Sequence, residues 1–180
     1  MSDRTVPYRV RPAGDADVPL LGPLERAAAS RFAGIGLERI AEGRPSSEAE
    51  YREAIAGGRL WVVEAAGGTV VGLAIAALLD GEGFLAEVSV HPDHGGHRLA
   101  ARLIAAVEDW AAGQGCRSLS LTTFREVPWN RPYYARLGFT LLDEAAAGPQ
   151  LRAVRARERA RGVDAHGPRV CMVRKIVKGR

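Results

Sequence analysis

The sequence predicts an α/β chain, in the α+β sense, built on one mixed sheet flanked by helices. Two observations carry this. Early in the chain, apolar runs are joined by glycine pairs, the mark of antiparallel hairpins. Later, one apolar run passes through glycines into a long helix and out to another strand, a crossover that parallel neighbours require. Hairpins and a crossover in one chain make the sheet mixed.

The elements follow in order. Residues 8–11 read as a short strand. Asp15 and Asp17 offer caps, Pro19 suits a first turn, and Val18, Leu21, Leu24 and Ala28 mark one face of a helix. That helix should fade near Phe32, because Gly34 and Gly36 follow. Residues 34–45 read as a loop whose Ile35, Leu37 and Ile40 pack beneath it or line a substrate mouth, packing being preferred. Ser47-Glu48-Ala49-Glu50 is a capping box for a second helix that ends at Gly57-Gly58. Residues 60–65 and 70–79 are strands joined through Gly67-Gly68, and 80–83 turn the chain into a strand over 84–90. Leu99, Leu103, Val107 and Trp110 give the next helix its apolar face, and Gly113 and Gly115 end it. Residues 118–123 form a strand and 124–129 a loop. A short helix over 130–137 has Pro132 in its first turn and Gly138 behind it. A strand over 139–142, a basic amphipathic helix over 150–161 bearing Leu151 and Val154, and a strand over 170–176 close the chain. The order contains about seven strands. No repeat or linker divides it, so one domain over 1–180 is expected.

Composition narrows the function classes. Hydrophobic residues make up 47% of the chain, a normal globular share, and no apolar run approaches the roughly 20 residues of a membrane span. Met1–Pro7 has no apolar stretch, so no secretory leader is expected. Cys116 and Cys171 stand far apart and suit a reduced, cytoplasmic protein. The net charge is +4, but ten Lys and Arg face only two Asp and Glu over residues 151–180. That basic tail holds no aromatic residue to stack on bases. A solvated helix face is therefore preferred to a nucleic-acid surface.

The stretch that organises the chain is Glu87–Leu103. A strand meets a glycine turn that opens directly onto a helix. Unpaired backbone N–H groups then converge at the positive end of the helix dipole, a seat for phosphate or pyrophosphate. Gly95 and Gly96 let a ligand approach the backbone, while Arg98 and Arg102 offer charge-assisted bonds to it. His91, His94 and His97 recur every third residue, but Pro92 and the two glycines make this a turn and not a helix face. No metal site is expected there.

Three pieces in this order resemble the GNAT family, the GCN5-related N-acetyltransferases. They are Glu87-Val88-Ser89-Val90 followed by His91-Pro92, the loop Gly95–Ala100, and Tyr133-Tyr134-Ala135-Arg136-Leu137-Gly138-Phe139. The loop resembles the family's Gln/Arg-x-x-Gly-x-Gly/Ala, and the last piece its Tyr-x-x-x-Gly-Phe ending. Two departures stand out. Gly95 replaces Gln or Arg and Arg98 replaces the middle Gly. The family's Asn, seven residues before its Tyr, corresponds here to Val127, with Asn130 only four before Tyr134.

The resemblance implies the GNAT fold: a mixed, mostly antiparallel sheet of about seven strands, splayed between the fourth and fifth. It implies acetyl transfer from acetyl-CoA to a primary amine of a small molecule or peptide, by direct attack in a ternary complex and without a metal. Coenzyme A would lie along Val88, Ser89 and Val90 like an added strand. Its pyrophosphate would sit over Gly95, Gly96, His97, Arg98, Leu99 and Ala100, with Asn130 and Tyr133 nearby.

Only a neutral amine attacks a thioester, and an alkyl ammonium is neutral about once in 2,500 molecules at pH 7. Supplying the neutral form costs roughly 4.6 kcal/mol without a base. Glu87 is the candidate base, directly or through water, or else a carboxylate paired with an arginine. Tyr134 is the candidate acid for the leaving thiolate, or else a core aromatic. Phe32, Phe124 and Trp129 are candidate walls of the acceptor pocket. A non-catalytic acyl-CoA sensor of the same fold is the alternative. Oligomeric state is left open, a homodimer included.

Overall fold

Seven strands, β1 (Arg9–Pro12), β2 (Leu60–Glu64), β3 (Val70–Leu79), β4 (Glu82–Val90), β5 (Ser118–Phe124), β6 (Thr140–Leu142) and β7 (Arg169–Lys175), share one sheet in the order β1-β2-β3-β4-β5-β7-β6. The structure, a computed structural model, describes residues 8–35 and 37–177. Pairings β1–β2, β2–β3, β5–β7 and β6–β7 are antiparallel, and β4–β5 is parallel. The sheet is therefore mixed and mostly antiparallel, as expected. Its helices are α1 (Val18–Ala29), α2 (Glu38–Ala41), α3 (Glu48–Ala56), α4 (Leu99–Gly113), α5 (Arg131–Arg136) and α6 (Pro149–Ala160).

The β3–β4 hairpin turns on two residues, Asp80 at φ 54° and Gly81 at φ 77°. Two positive φ values make a primed turn whose twist matches the strands. The turn is tighter than the sequence suggested, so β4 begins two residues early, at Glu82.

The chain divides into two compact units, and β3 and β4 run through both. One unit extends to Ile75 and resumes over Glu87–Val107. In it, Val18, Leu21 and Leu24 of α1 pack with Tyr51 and Ala54 of α3 over Leu60, Val62 and Leu73. The Ser47 capping box is formed: Glu50 N–H donates to Ser47 Oγ at 3.3 Å and Ser47 N–H to Glu50 Oε2 at 2.6 Å. On α4, Leu99, Leu103, Ile104 and Val107 are buried, whereas Trp110 is half-covered. Ile104 widens the inward arc, with Val107 lying between it and Leu103. The loop expected over residues 34–45 is partly helical. A 3₁₀ stretch over Ser30–Ile35 continues α1, and α2 follows one turn later.

The other unit holds Ala76–Ala86 and the chain from Glu108 onward. Phe84, Ala147, Leu151 and Cys171 form a core cluster. β5 and β7 pair along their whole length, from Ser118↔Lys175 to Phe124↔Arg169. The basic helix presents the expected solvated face at Arg152, Arg157, Arg159 and Arg161, all exposed, and Arg155 is the exception. Arg155 of α6 is only 2% exposed. Its guanidinium meets Asp164 at 2.7 and 3.1 Å and also pairs with Glu158. Glu158 in turn accepts from Arg169 at 2.9 Å and from Thr122 Oγ1 at 2.5 Å. A buried guanidinium needs acidic partners, and here Asp164 and Glu158 meet its two Nη groups while Glu144 stands 3.7 Å from Nε.

Candidate cofactor and active site

The glycine turn belongs to the first unit. Pro92–His94 makes one 3₁₀ turn, closed by His94 N–H to His91 O at 3.0 Å and Gly95 N–H to Pro92 O at 3.0 Å. Gly96 then takes φ 81° and Arg98 φ 57°, and α4 starts at Leu99. Among the described residues, the N–H groups of Gly96, His97, Arg98 and Leu99 reach no protein acceptor. These are the orphan donors at the positive end of α4. Gly95, Gly96, His97 and Arg98 are exposed, Leu99 is buried and Ala100 half-buried. Nothing lies within 4 Å of the place a Cβ would take on Gly96.

Arg98 occupies the position where the motif has glycine. Its left-handed φ shows why glycine suits the place, and holding it with arginine costs roughly 1 kcal/mol. The turn keeps the glycine conformation without the glycine.

Arg102 makes a contact that its place in the sequence does not suggest. Its Nη2 donates to Tyr8 O at 2.7 Å. The Tyr8 hydroxyl lies 3.0 Å from His94 Nδ1, and the Tyr8 ring lies 5.1 Å from the His97 ring. The entry to β1 is thereby tied to the glycine turn. Among the described residues no group of three His, Cys, Asp or Glu is placed to hold a metal ion.

On β4, Glu87 is half-buried and accepts from Ser89 Oγ at 2.7 Å. Alternation sets its face. The Cβ direction of Gly72 meets Val90 Cγ2 and α4's Leu103 Cδ1, each at 3.3 Å. Val88 and Val90 therefore face α4. Glu87 and Ser89 face the opposite side, where Leu73 packs with α1 and α3. Phe32, also in this unit, is half-buried in the 3₁₀ stretch after α1.

In the second unit the β4–β5 ladder is short. Among the described residues it comprises Gly83↔Leu119 and Phe84↔Ser120, and β5 continues unladdered to β4 from Leu121. That is the expected splay. At its close start Gly83 leaves room for β5, since a Cβ there would lie 3.2 Å from both Leu119 Cδ1 and Ser118 O.

α5 presents the remaining candidates. Tyr134 N–H donates to Asn130 O at 3.0 Å, and Tyr134 O accepts from Phe139 N–H at 3.1 Å. The Tyr134 ring is half-buried, edge-on to Phe139 at 5.8 Å and to Tyr133 at 5.6 Å. Arg136 lies over Tyr133 at 5.9 Å. Asn130 occupies the cap position of α5 without a side-chain cap bond, while Val127 is buried. Trp129 is half-buried. Phe124 is 3% exposed, with the Arg169 guanidinium 4.8 Å over its ring.

Sequence comparison matches residues 30–139 to the family model described as the acetyltransferase (GNAT) family. Solved structures are similar over nearly the whole chain. N-acetylglutamate synthase from Neisseria gonorrhoeae, complexed with coenzyme A and N-acetyl-glutamate, shares 21% identity at a TM-score of 0.71 over 97% of this chain. The chain spans only 36% of that protein's length. PaiA N-acetyltransferase from Thermoplasma acidophilum, in complex with coenzyme A, shares 16% identity at a TM-score of 0.67, over 94% of this chain and 99% of its own. The ribosomal-protein-S18-alanine N-acetyltransferase from Escherichia coli shares 16% identity at a TM-score of 0.64, over 97% of each chain.

Proposed function

The chain belongs to the GNAT acetyltransferase family, and from that premise we propose that it transfers the acetyl group of acetyl-CoA to a primary amine of a small molecule or peptide. The observation that carries this reading is the row of unaccepted N–H groups from Gly96 to Leu99, at the start of α4, beside a left-handed glycine. Such a row binds a diphosphate through backbone alone, which tolerates the Arg98 substitution.

In this reading the amine attacks the thioester directly, with both substrates bound. Glu87 removes the ammonium proton and so recovers the roughly 4.6 kcal/mol that deprotonation costs at pH 7. Val88 and Val90 offer backbone partners to the pantetheine arm, with Ser89 between them. A strand N–H, that of Val88, steadies the oxyanion. Tyr134 protonates the leaving thiolate, and Asn130 and Tyr133 are the further cofactor contacts that the family resemblance implies. Phe32, Phe124 and Trp129 remain the proposed acceptor walls. Residues 1–180 act as one catalytic domain. The sensor alternative has no observation in its favour.

Thiol release from acetyl-CoA over a panel of alkyl amines, amino acids and peptides tests the reading. Transfer to at least one amine is expected, with Tyr134→Phe lowering kcat more than cofactor affinity. Tight coenzyme A binding without transfer to any amine would favour the sensor.

A further inference from the structure

Tyr51 is 1% exposed on α3, packed among Leu21, Leu24, Leu60 and Leu73. Phenylalanine would fill that space equally well. The hydroxyl is buried and completes no hydrogen bond of normal geometry. Neither does Glu25 Oε1 on α1, the carboxylate that faces it. The other Glu25 oxygen is held by Ser46 N–H at 2.9 Å. Two adjacent polar atoms left unmatched in a core are costly, and they call for a function or a bridging water.

Strand alternation supplies the function. Glu87 lies on the sheet face that carries Leu73, the face covered by α1 and α3. Burial, then the charges of Glu25 and Glu87, hold the Tyr51 hydroxyl far above the usual phenol range, so it stays protonated at every working pH. A protonated phenol on α3 thus shares this face of the sheet with a carboxylate on α1 and another on β4.

We propose that Tyr51 and Glu25 form a proton exit for Glu87, which rests on the acetyltransferase reading above. Glu87 takes one proton from the acceptor's ammonium and becomes neutral. Its O–H then gives a proton to the Tyr51 oxygen, directly or through one buried water. In the same movement the Tyr51 O–H bond breaks and that proton passes to Glu25 Oε1. Glu87 is again a carboxylate, Tyr51 again a phenol, and Glu25 is neutral. Glu25 is half-exposed as a residue although Oε1 is covered, and its carboxyl yields the proton to solvent on turning outward. One proton leaves per amine acetylated, as conversion of an ammonium and a thioester to an amide and a thiol requires. Tyr51 and Glu25 act through Glu87 and are positioning residues, away from the reacting atoms.

The test begins with wild-type thiol release on the amine panel. No transfer to any amine removes the acetyltransferase reading and this relay together. Once transfer is established, Tyr51→Phe and Glu25→Gln are each expected to lower kcat about tenfold to a hundredfold, with both KM values changed less than about twofold. Added imidazole buffer, a mobile proton carrier, should restore part of the rate. Tyr51→Phe should melt no lower than the wild type, because it removes only an unmatched hydroxyl. Unchanged kcat in both variants overturns the relay and leaves the acetyltransferase reading standing. So does a fall that imidazole does not restore. A raised amine KM with kcat kept also overturns it, since the groups would then bind the acceptor.

Discussion

Two of the long helices in this protein begin within three residues of a glycine, and their first turns are treated in opposite ways. At α6, Gly148 leaves room for a carboxylate from the β3–β4 turn, and a Cβ there would lie 2.3 Å from the Asp80 carboxyl. Asp80 accepts from Gln150 N–H at 2.9 Å and Leu151 N–H at 3.1 Å, while Asp80 N–H donates to Gln150 Oε1 at 2.6 Å. This is a capping box assembled from residues far apart in sequence. At α4, Gly96 and Arg98 swing the chain through two left-handed residues, and among the described residues no carboxylate arrives. The same glycine signal thus marks a structural joint where the protein brings its own anion, and an open anion seat where it does not.

Gly96→Glu should give the largest effect. A side chain at φ 81° is strained, and its carboxylate would occupy the seat as Asp80 occupies that of α6. Acetyl-CoA affinity is expected to fall at least about 100-fold by titration calorimetry. An unchanged isotherm would place the seat elsewhere and dissolve the contrast.

Arg155→Ala comes next. It strands the carboxylates that share the buried guanidinium, at about 3–5 kcal/mol in denaturant unfolding. Coenzyme A affinity of the folded variant should not change. The same cluster sets an acid limit. The Arg155 contact holds the Asp164 carboxyl below its usual range. Its stabilising contribution is therefore complete above the unfolded value of about 3.9 and is lost as pH falls through the lower folded value. Stability measured from pH 5 to 2 should fall less steeply in Asp164→Asn than in the wild type.

Asp80→Ala is a milder probe of the closed helix start. Loss of a cap costs about 0.5–2 kcal/mol, read as a lower melting temperature with cofactor binding intact. If binding weakened too, the two starts would not be separable. Arg98→Gly should have the smallest effect. Relief of the left-handed strain, offset by glycine's chain entropy, is expected to raise stability by less than about 1 kcal/mol. A lower melt would show that Arg98 is held by contacts that outweigh the strain.

Much of this was legible from local pattern. The stripe Val18, Leu21, Leu24 and Ala28 and the Ser47 box are short-range signals, and both appear as expected. The glycine turn before α4 was legible for the same reason. What escaped depends on residues distant in sequence. The Asp80 cap on α6, the acidic shell around Arg155 and the Arg102 bond to Tyr8 all join positions whose proximity only the sheet creates. The helical stretch after α1 escaped because Gly34 reads as a breaker, yet it is accommodated inside a 3₁₀ run. On the site itself, sequence pointed to Glu87 through its place on a strand. It carried no hint that Tyr51 and Glu25 share that strand's face.

The most direct measurement compares coenzyme A with pantetheine, which lacks the diphosphate, by calorimetry on the wild-type protein and on Gly96→Glu. If the open start of α4 is the diphosphate seat, coenzyme A should bind the wild type at least about 100-fold more tightly than pantetheine, and most of that gap should vanish in the variant. Equal affinity for the two ligands in the wild type, or a gap that survives Gly96→Glu, would contradict the account.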